Sequence, residues 1–224
     1  MSNYFTADND AWLLQRRGKI TSSEVWKIFK GGRSKDVMFG EGAMTYIRSR
    51  VTEMQSGELK EELDAKSLAW GKDNELDAKT HFEAITGFSV IYHGISCPKF
   101  YPYGDFAGGS PDGEIIEPDA ILELKCPYNE DIHTRRLLIK SVEQFKDEEP
   151  EAWNQCQMNM LTMGKKIGFF GSYDPRRKEE KLKMKIIKLS ASEEWQSEFI
   201  KRHDAAIEIM SEILYDTDKY LFIQ

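Results

Sequence analysis

Cysteine is scarce in this sequence. Cys97, Cys126 and Cys156 lie far apart with no C-x-x-C pair, which excludes a disulfide framework or a zinc knuckle as the organising chemistry. No Pro/Gly/Ser-rich tract is long enough to serve as an interdomain linker, so residues 1–224 are read as a single domain. No apolar run approaches the roughly 20 residues of a membrane span. Met1 to Thr6 lacks the basic and apolar regions of a secretory signal, so a cytoplasmic location with no membrane partner is expected. Positive charge is also in deficit: 31 Lys and Arg against 38 Asp and Glu give a net charge of -7. Bulk electrostatics therefore cannot grip a polyanion, and any nucleic-acid contact must be local. His81, His93, His133 and His203 show no H-x-x-H or H-E-x-x-H spacing, so none is assigned to metal or general-base duty.

The sequence does hold enough apolar material for a core, with 40% hydrophobic and 12% aromatic residues. Basic clusters occur at Arg16, Arg17 and Lys19, at Lys165 and Lys166, at Arg176 to Lys178, and at Lys181, Lys183, Lys185 and Lys188. Interleaved glutamates make a solvated surface their ordinary reading. Thr21-Ser22-Ser23-Glu24 has the form of a capping box opening a helix through Val25, Ile28 and Phe29. Helices are expected over 44–54, 66–85, 151–163 and 192–214, and strands over 89–92, 120–124, 167–173 and 184–189. The fold class is α/β (α+β), with a central mixed β-sheet flanked by helices.

The segment that carries chemistry is Ser110-Pro111-Asp112-Gly113 followed by Glu123-Leu124-Lys125. Side chains alternate along a strand, so Glu123 and Lys125 share one face while Leu122, Leu124 and Cys126 share the other. A two-residue turn at Pro118-Asp119 would set Asp112 opposite Lys125 and diagonal to Glu123, and would leave Glu114 opposite Glu123 as a competing ligand. Magnesium prefers hard oxygen donors and keeps several waters, a shell that one or two carboxylates and a phosphate complete. It would acidify a water and offset charge on a phosphodiester under attack, with Lys125 orienting that water. An isolated E-x-K is ordinarily a solvated ion pair; the preceding S-P-D-G turn and the apolar opposite face favour a nuclease site. On the long helix, Leu68, Gly71, Glu75, Ala78, Phe82 and Ile85 recur at helical spacing. Glu75 thus interrupts an apolar stripe, making it a candidate third ligand or else a glutamate bonded to an arginine.

Six stretches in register resemble the phage lambda exonuclease family, the YqaJ-like viral recombinases and alkaline exonucleases of the restriction-endonuclease-like, PD-(D/E)xK superfamily. They are Trp12 through Val25, Ala65 through Ala78, Ser110 to Gly113, Leu122 to Pro127, Gln155-Cys156-Gln157, and Tyr173 to Arg176. The resemblance implies that Asp112, Glu123 and the Leu124 carbonyl hold the catalytic metal, that Glu75 assists a second ion, and that Lys125 is the catalytic lysine. It also implies a 5'-phosphate pocket at Arg16, Ser23, Ser110 and Gln155, in which a guanidinium and hydroxyls suit a phosphate. Trp12 and Leu68 match positions that meet the DNA end, and Arg176 is a candidate backbone contact. Ala152 and Trp153 depart from the family pattern, which has a tyrosine at the position of Ala152.

The resemblance further implies a single nuclease domain that degrades one strand of linear duplex DNA from 5'-phosphorylated ends to 5'-mononucleotides. It would use Mg2+, with Mn2+ able to substitute, and leave 3' overhangs for recombination with a single-strand annealing partner. A homotrimeric ring and a phage or prophage origin in a bacterial host are also implied. Two other functions fit the same residues: a structure- or site-specific endonuclease, and a catalytically silent DNA-end-binding scaffold. Nicking of closed circular DNA separates the first from the exonuclease, and absence of turnover separates the second.

Overall fold

The computed structural model describes residues 7–32, 36–58, 65–94 and 96–219. The elements in chain order are α1 (Ala7–Arg16), β1 (Ile20–Thr21), a 3-10 helix (Val25–Phe29), α2 (Glu41–Ser56), α3 (Ala65–Thr86), β2 (Val90–Tyr92), β3 (Tyr101–Tyr103) and β4 (Ala107–Gly109). They continue with β5 (Gly113–Ile115), β6 (Ala120–Lys125), α4 (Glu130–Leu137), α5 (Val142–Glu148), α6 (Pro150–Met163), β7 (Ile167–Tyr173), α7 (Glu180–Lys183), β8 (Met184–Ser190) and α8 (Glu193–Lys219). Helices and mixed sheets alternate, which is the expected fold class. The main sheet has the order β2-β5-β6-β7-β8, and a smaller one has the order β1-β4-β3.

In the main sheet only β6 and β7 run parallel. A parallel pair needs a long crossover, and residues 126–166 supply it with α4, α5 and α6. Along α6 nine consecutive residues, Ala152 to Met160, are buried. A helix buried on all sides is a central element, so polar side chains on α6 face protein rather than water. Pro150 opens α6, where its missing N–H costs nothing.

The even-numbered side chains of β6, Leu122 and Leu124, join a core with Ala78, Phe82 and Phe169 on the α3 side. Ile121, on the other face, joins the core built from Phe145, Met158, Met160 and Phe170. Each large side chain withdrawn from water contributes about 1.5–3 kcal/mol. The apolar face is therefore anchored, and register cannot slip by one residue without exposing it. The stripe on α3 is shorter than expected: Ala78 and Phe82 are fully buried, but Ile85 is 53% exposed. Gly87, at φ 72°, ends that helix as its sequence suggests.

Two expectations are corrected. No capping box forms at Thr21 to Glu24, because Thr21 is drawn into β1, where it pairs with Gly108. The short helix that follows has Glu24 at its N-cap without a side-chain cap bond; Glu24 instead pairs with Lys27 and Arg50. The hairpin is also wider than a two-residue turn, since pairing stops at Ile115 and Ala120 and leaves 116–119 as the loop. Gly113 pairs with Leu122, which brings Asp112 abreast of Glu123 rather than of Lys125.

Candidate active site

The register shift is two residues, so the faces stay as expected and only the neighbours change. Asp112 follows the short sheet through Gly109 and meets β6 at its far end, where its Oδ2 accepts the Leu124 N–H at 2.6 Å. Glu123 is fully buried, and its two oxygens have different partners. Oε1 takes the Lys125 ammonium at 2.6 Å, and Oε2 takes Nδ2 of Asn159 at 2.9 Å. Lys125 keeps 36% of its side chain exposed, while its ammonium end turns onto the buried Glu123 carboxylate. Glu114, expected opposite Glu123, lies opposite Ile121 instead, and its Oε1 holds Lys165 at 2.7 Å.

The electrostatics follow from this packing. Burial, then the neighbouring Glu123 and Glu75 carboxylates, push the Asp112 carboxyl well above the usual range despite Lys125 and the Leu124 N–H. Burial likewise pushes Glu123 up, against the pull of Lys125 and Asn159. Burial works against the Lys125 ammonium, but Glu123 and Asp112 outweigh it and hold the lysine above its ordinary value. Lys125 is therefore charged at neutral pH. Two abutting carboxylates that each disfavour the anion are a site that a divalent cation would relieve. Among the described residues no three His, Cys, Asp or Glu side chains are already gathered as a cage. Asp112 and Glu123 offer oxygen donors, the hard kind that a divalent cation with retained waters takes.

Glu75 approaches from α3. The Tyr92 hydroxyl donates to its Oε1 at 2.6 Å, and Asp112 feels its charge. A Cβ added at Gly94 would lie 1.8 Å from that same oxygen and 2.2 Å from the Tyr92 hydroxyl. A larger residue at 94 would have to displace one of the two partners.

Three of the residues expected around a 5'-phosphate, Arg16, Ser23 and Ser110, are linked to one another through Trp12, which was expected at the DNA end. Trp12 Nε1 donates to Ser110 Oγ at 2.9 Å, the Arg16 guanidinium lies 4.2 Å from the Trp12 ring centre, and Arg16 reaches Ser23 Oγ at 3.5 Å. Ser22 Oγ accepts the Ser110 N–H at 3.4 Å, closing the ring of contacts. Ser23 sits in a turn before the 3-10 helix, so hydroxyl and guanidinium rather than a helix end would meet an anion. Gln155 is buried on α6, one turn before Asn159. Leu68 lies on α3, but its side chain is outside the described residues. Arg176 is engaged within the chain: it pairs with buried Asp174 at 2.7 Å, donates to the Tyr128 and Pro127 carbonyls at 3.0 and 3.2 Å, and lies over Trp70. This is a turn lock.

The sequence reading overlooked Asn159, Tyr92, Gly94 and Gly109. For Asn159 a signal existed: an amide four residues after Gln155 in a helix otherwise rich in Met, Cys and Trp is a polar group bound for the interior. Tyr92 and Gly94 carry no local signal, because their partner Glu75 is 17 residues from Tyr92.

Residues 11–166 match the YqaJ-like viral recombinase domain family. The fold is similar to an alkaline exonuclease from Laribacter hongkongensis at TM-score 0.75, with 22% identity over 94% of this chain and 97% of that one. The same enzyme in complex with dAMP matches at TM-score 0.76, again with 22% identity and the same coverage. A phage-related exonuclease from Haemophilus somnus 129PT matches at 0.72, with 13% identity over 89% of this chain and 96% of that one. No curated protein sequence gave a match.

Proposed function

We propose, on the premise that this chain belongs to the YqaJ-like viral recombinase domain family, that it is a divalent-metal-dependent exonuclease acting on linear duplex DNA. It removes nucleotides from 5'-phosphorylated ends, releases 5'-mononucleotides and leaves 3' single-stranded overhangs for recombination. The observation that carries the reading is Asp112 abreast of Glu123, with Lys125 bonded to the latter at 2.6 Å. A kindred fold in alkaline exonucleases supports it.

Asp112, Glu123 and the Leu124 carbonyl would hold the catalytic Mg2+ or Mn2+, and Glu75, steadied by Tyr92, would assist a second ion. Such an ion supplies positive charge to the phosphate oxygens and acidifies a water. Lys125, charged and held by Glu123, orients the attacking water and offsets charge that builds on the phosphate. The new bond joins the water oxygen to phosphorus while the P–O3' bond breaks, so the departing nucleotide keeps its 5'-phosphate and leaves with a 3'-hydroxyl. The remaining strand then presents a fresh 5'-phosphate, the group suited to Arg16, Ser23, Ser110 and Gln155. Each cut therefore regenerates the ligand for the next. Trp12 and Leu68 would abut the DNA end, and Arg176 would act through the turn it locks.

The chain would act as one nuclease domain within a homotrimeric ring around duplex DNA, in the bacterial cytoplasm, with a single-strand annealing protein as partner. A ring reconciles an acidic subunit with DNA, because basic side chains can line a channel while acidic ones face solvent. Among the described residues no helix is long and apolar enough to cross a membrane. Linear duplex labelled at the 5' end tests the reading: the label should appear early as mononucleotide with magnesium, while closed circular duplex survives. Early release of a 3'-end label would reverse the polarity, and nicking of circles would favour an endonuclease.

A further inference from the structure

We infer that Asn159 is a positioning residue that sets the Glu123 carboxylate for the metal and ties it to the wall of the 5'-phosphate pocket. The inference rests on the nuclease reading of the site. Asn159 is fully buried, and its Nδ2 donates to Glu123 Oε2 at 2.9 Å while Lys125 holds Oε1. Each oxygen of the carboxylate thus has its own donor, which removes the rotation a lone glutamate would keep. An amide suits this task. It donates without adding positive charge that would compete with a cation, and without the negative charge that an aspartate would set against Glu123.

The amide is held in turn by its surroundings. It stands within the buried run of α6, and a Cβ added at Gly109 would lie 2.5 Å from Asn159 Oδ1 and 2.7 Å from Thr162 Oγ1. Glycine at 109 therefore lets β4 close on this helix without displacing the Asn159 amide or the Thr162 hydroxyl. Asn159 Oδ1 is buried with no hydrogen-bond partner among the described residues. Gly109 leads directly into Ser110, which accepts from Trp12, and Gln155 lies one turn earlier on α6. One side chain therefore touches the catalytic carboxylate and lies against the two elements that carry Ser110 and Gln155.

Groups that orient a ligand from behind commonly change metal affinity by about ten- to a hundredfold. Calorimetric titration of Mn2+ into the full chain without DNA should show Asn159→Leu binding ten- to a hundredfold more weakly than the parent, with cooperative unfolding retained. Gly109→Ala, which crowds Asn159 without touching either carboxylate, should weaken binding in the same direction. If Asn159→Leu does not fold, Asn159→Ala carries the same expectation. Affinity within twofold of the parent in a folded Asn159 variant would overturn the inference. So would loss of 5'-phosphate preference with Mn2+ binding intact, which assigns the residue to the end pocket alone. A parent chain that binds no Mn2+ would overturn the nuclease reading itself, whereas a parent that binds while the variants bind equally well overturns only the role of Asn159.

Discussion

Replacing Asp112 with asparagine should stabilise the metal-free protein while abolishing hydrolysis. The asparagine oxygen can still accept the Leu124 N–H that Asp112 accepts at 2.6 Å. The charge removed is one that burial, Glu123 and Glu75 all disfavour, and Lys125 keeps Glu123 as its partner. Relief of strain at a functional site of this kind contributes about 1 to 2 kcal/mol. Unfolding entropy of about 2.1 cal/mol/K per residue, over 224 residues, makes each kcal/mol worth about 2 °C. The variant should therefore melt about 2 to 4 °C above the parent in chelator at neutral pH. The gain should shrink as pH falls and Asp112 takes up a proton in the parent. Magnesium at ten times its dissociation constant should add about 1.4 kcal/mol to the parent and little to the variant. Scanning calorimetry with and without magnesium reads both effects. An Asp112→Asn protein that melts below the parent in chelator would refute the reasoning, because it would make Asp112 a satisfied structural group.

Arg16→Ala should cut the preference for 5'-phosphate over 5'-hydroxyl ends by about ten- to a hundredfold, the worth of a charged hydrogen-bonding contact; equal loss on both ends, measured in parallel digestions, would remove Arg16 from the pocket. Burial would lift the Asp174 carboxyl, but Arg176 and Arg177 outweigh it and hold it below the usual range. Asp174→Asn should accordingly cost about 2 to 3 kcal/mol in urea unfolding, and a change under about 0.5 kcal/mol would contradict the turn lock. His133 is buried, with Nε2 donating to the Leu182 carbonyl and Nδ1 2.9 Å from the Ser172 hydroxyl, which can donate to it when the ring is neutral. Burial holds its pKa below the ordinary 6.5. The unfolded chain therefore binds the proton more readily, and this contribution to stability is present above about pH 6.5 and lost as pH falls below it. His133→Gln should show a shallower decline between pH 7.5 and 5.5, and an unchanged slope would count against a neutral buried ring.

Periodicity made the long elements legible before any coordinates. β7 has the bounds its apolar run suggests, and α3 and α6 extend only a residue beyond theirs. The E-x-K strand showed its two faces because alternation depends on nothing outside β6 itself. What local pattern could not show was pairing. The loop at 116–119 turns in four residues where two were expected, a choice made by neighbours rather than by Pro118 and Asp119. The strands β1, β3 and β4 span two or three residues, too few to display any period. α4 (EDIHTRRL) is too polar to declare an apolar face. The capping box failed because β4, whose Gly108 pairs with Thr21 from 87 residues away, claims that backbone. Of the site, the residues bearing charge were visible and those that steady them were not, since Tyr92 and Asn159 acquire meaning only from partners distant in the chain.

The most direct test of the central claim is the rate at which purified parent and Lys125→Ala proteins release acid-soluble nucleotide from 5'-phosphorylated linear duplex in magnesium. The parent should digest the duplex, lose that activity in chelator and regain it when magnesium is restored. Lys125→Ala should fold and bind Mn2+ yet release nothing above background. Equal release by the two proteins, or release by the parent undiminished in chelator, would contradict the assignment of hydrolysis to Asp112, Glu123 and Lys125.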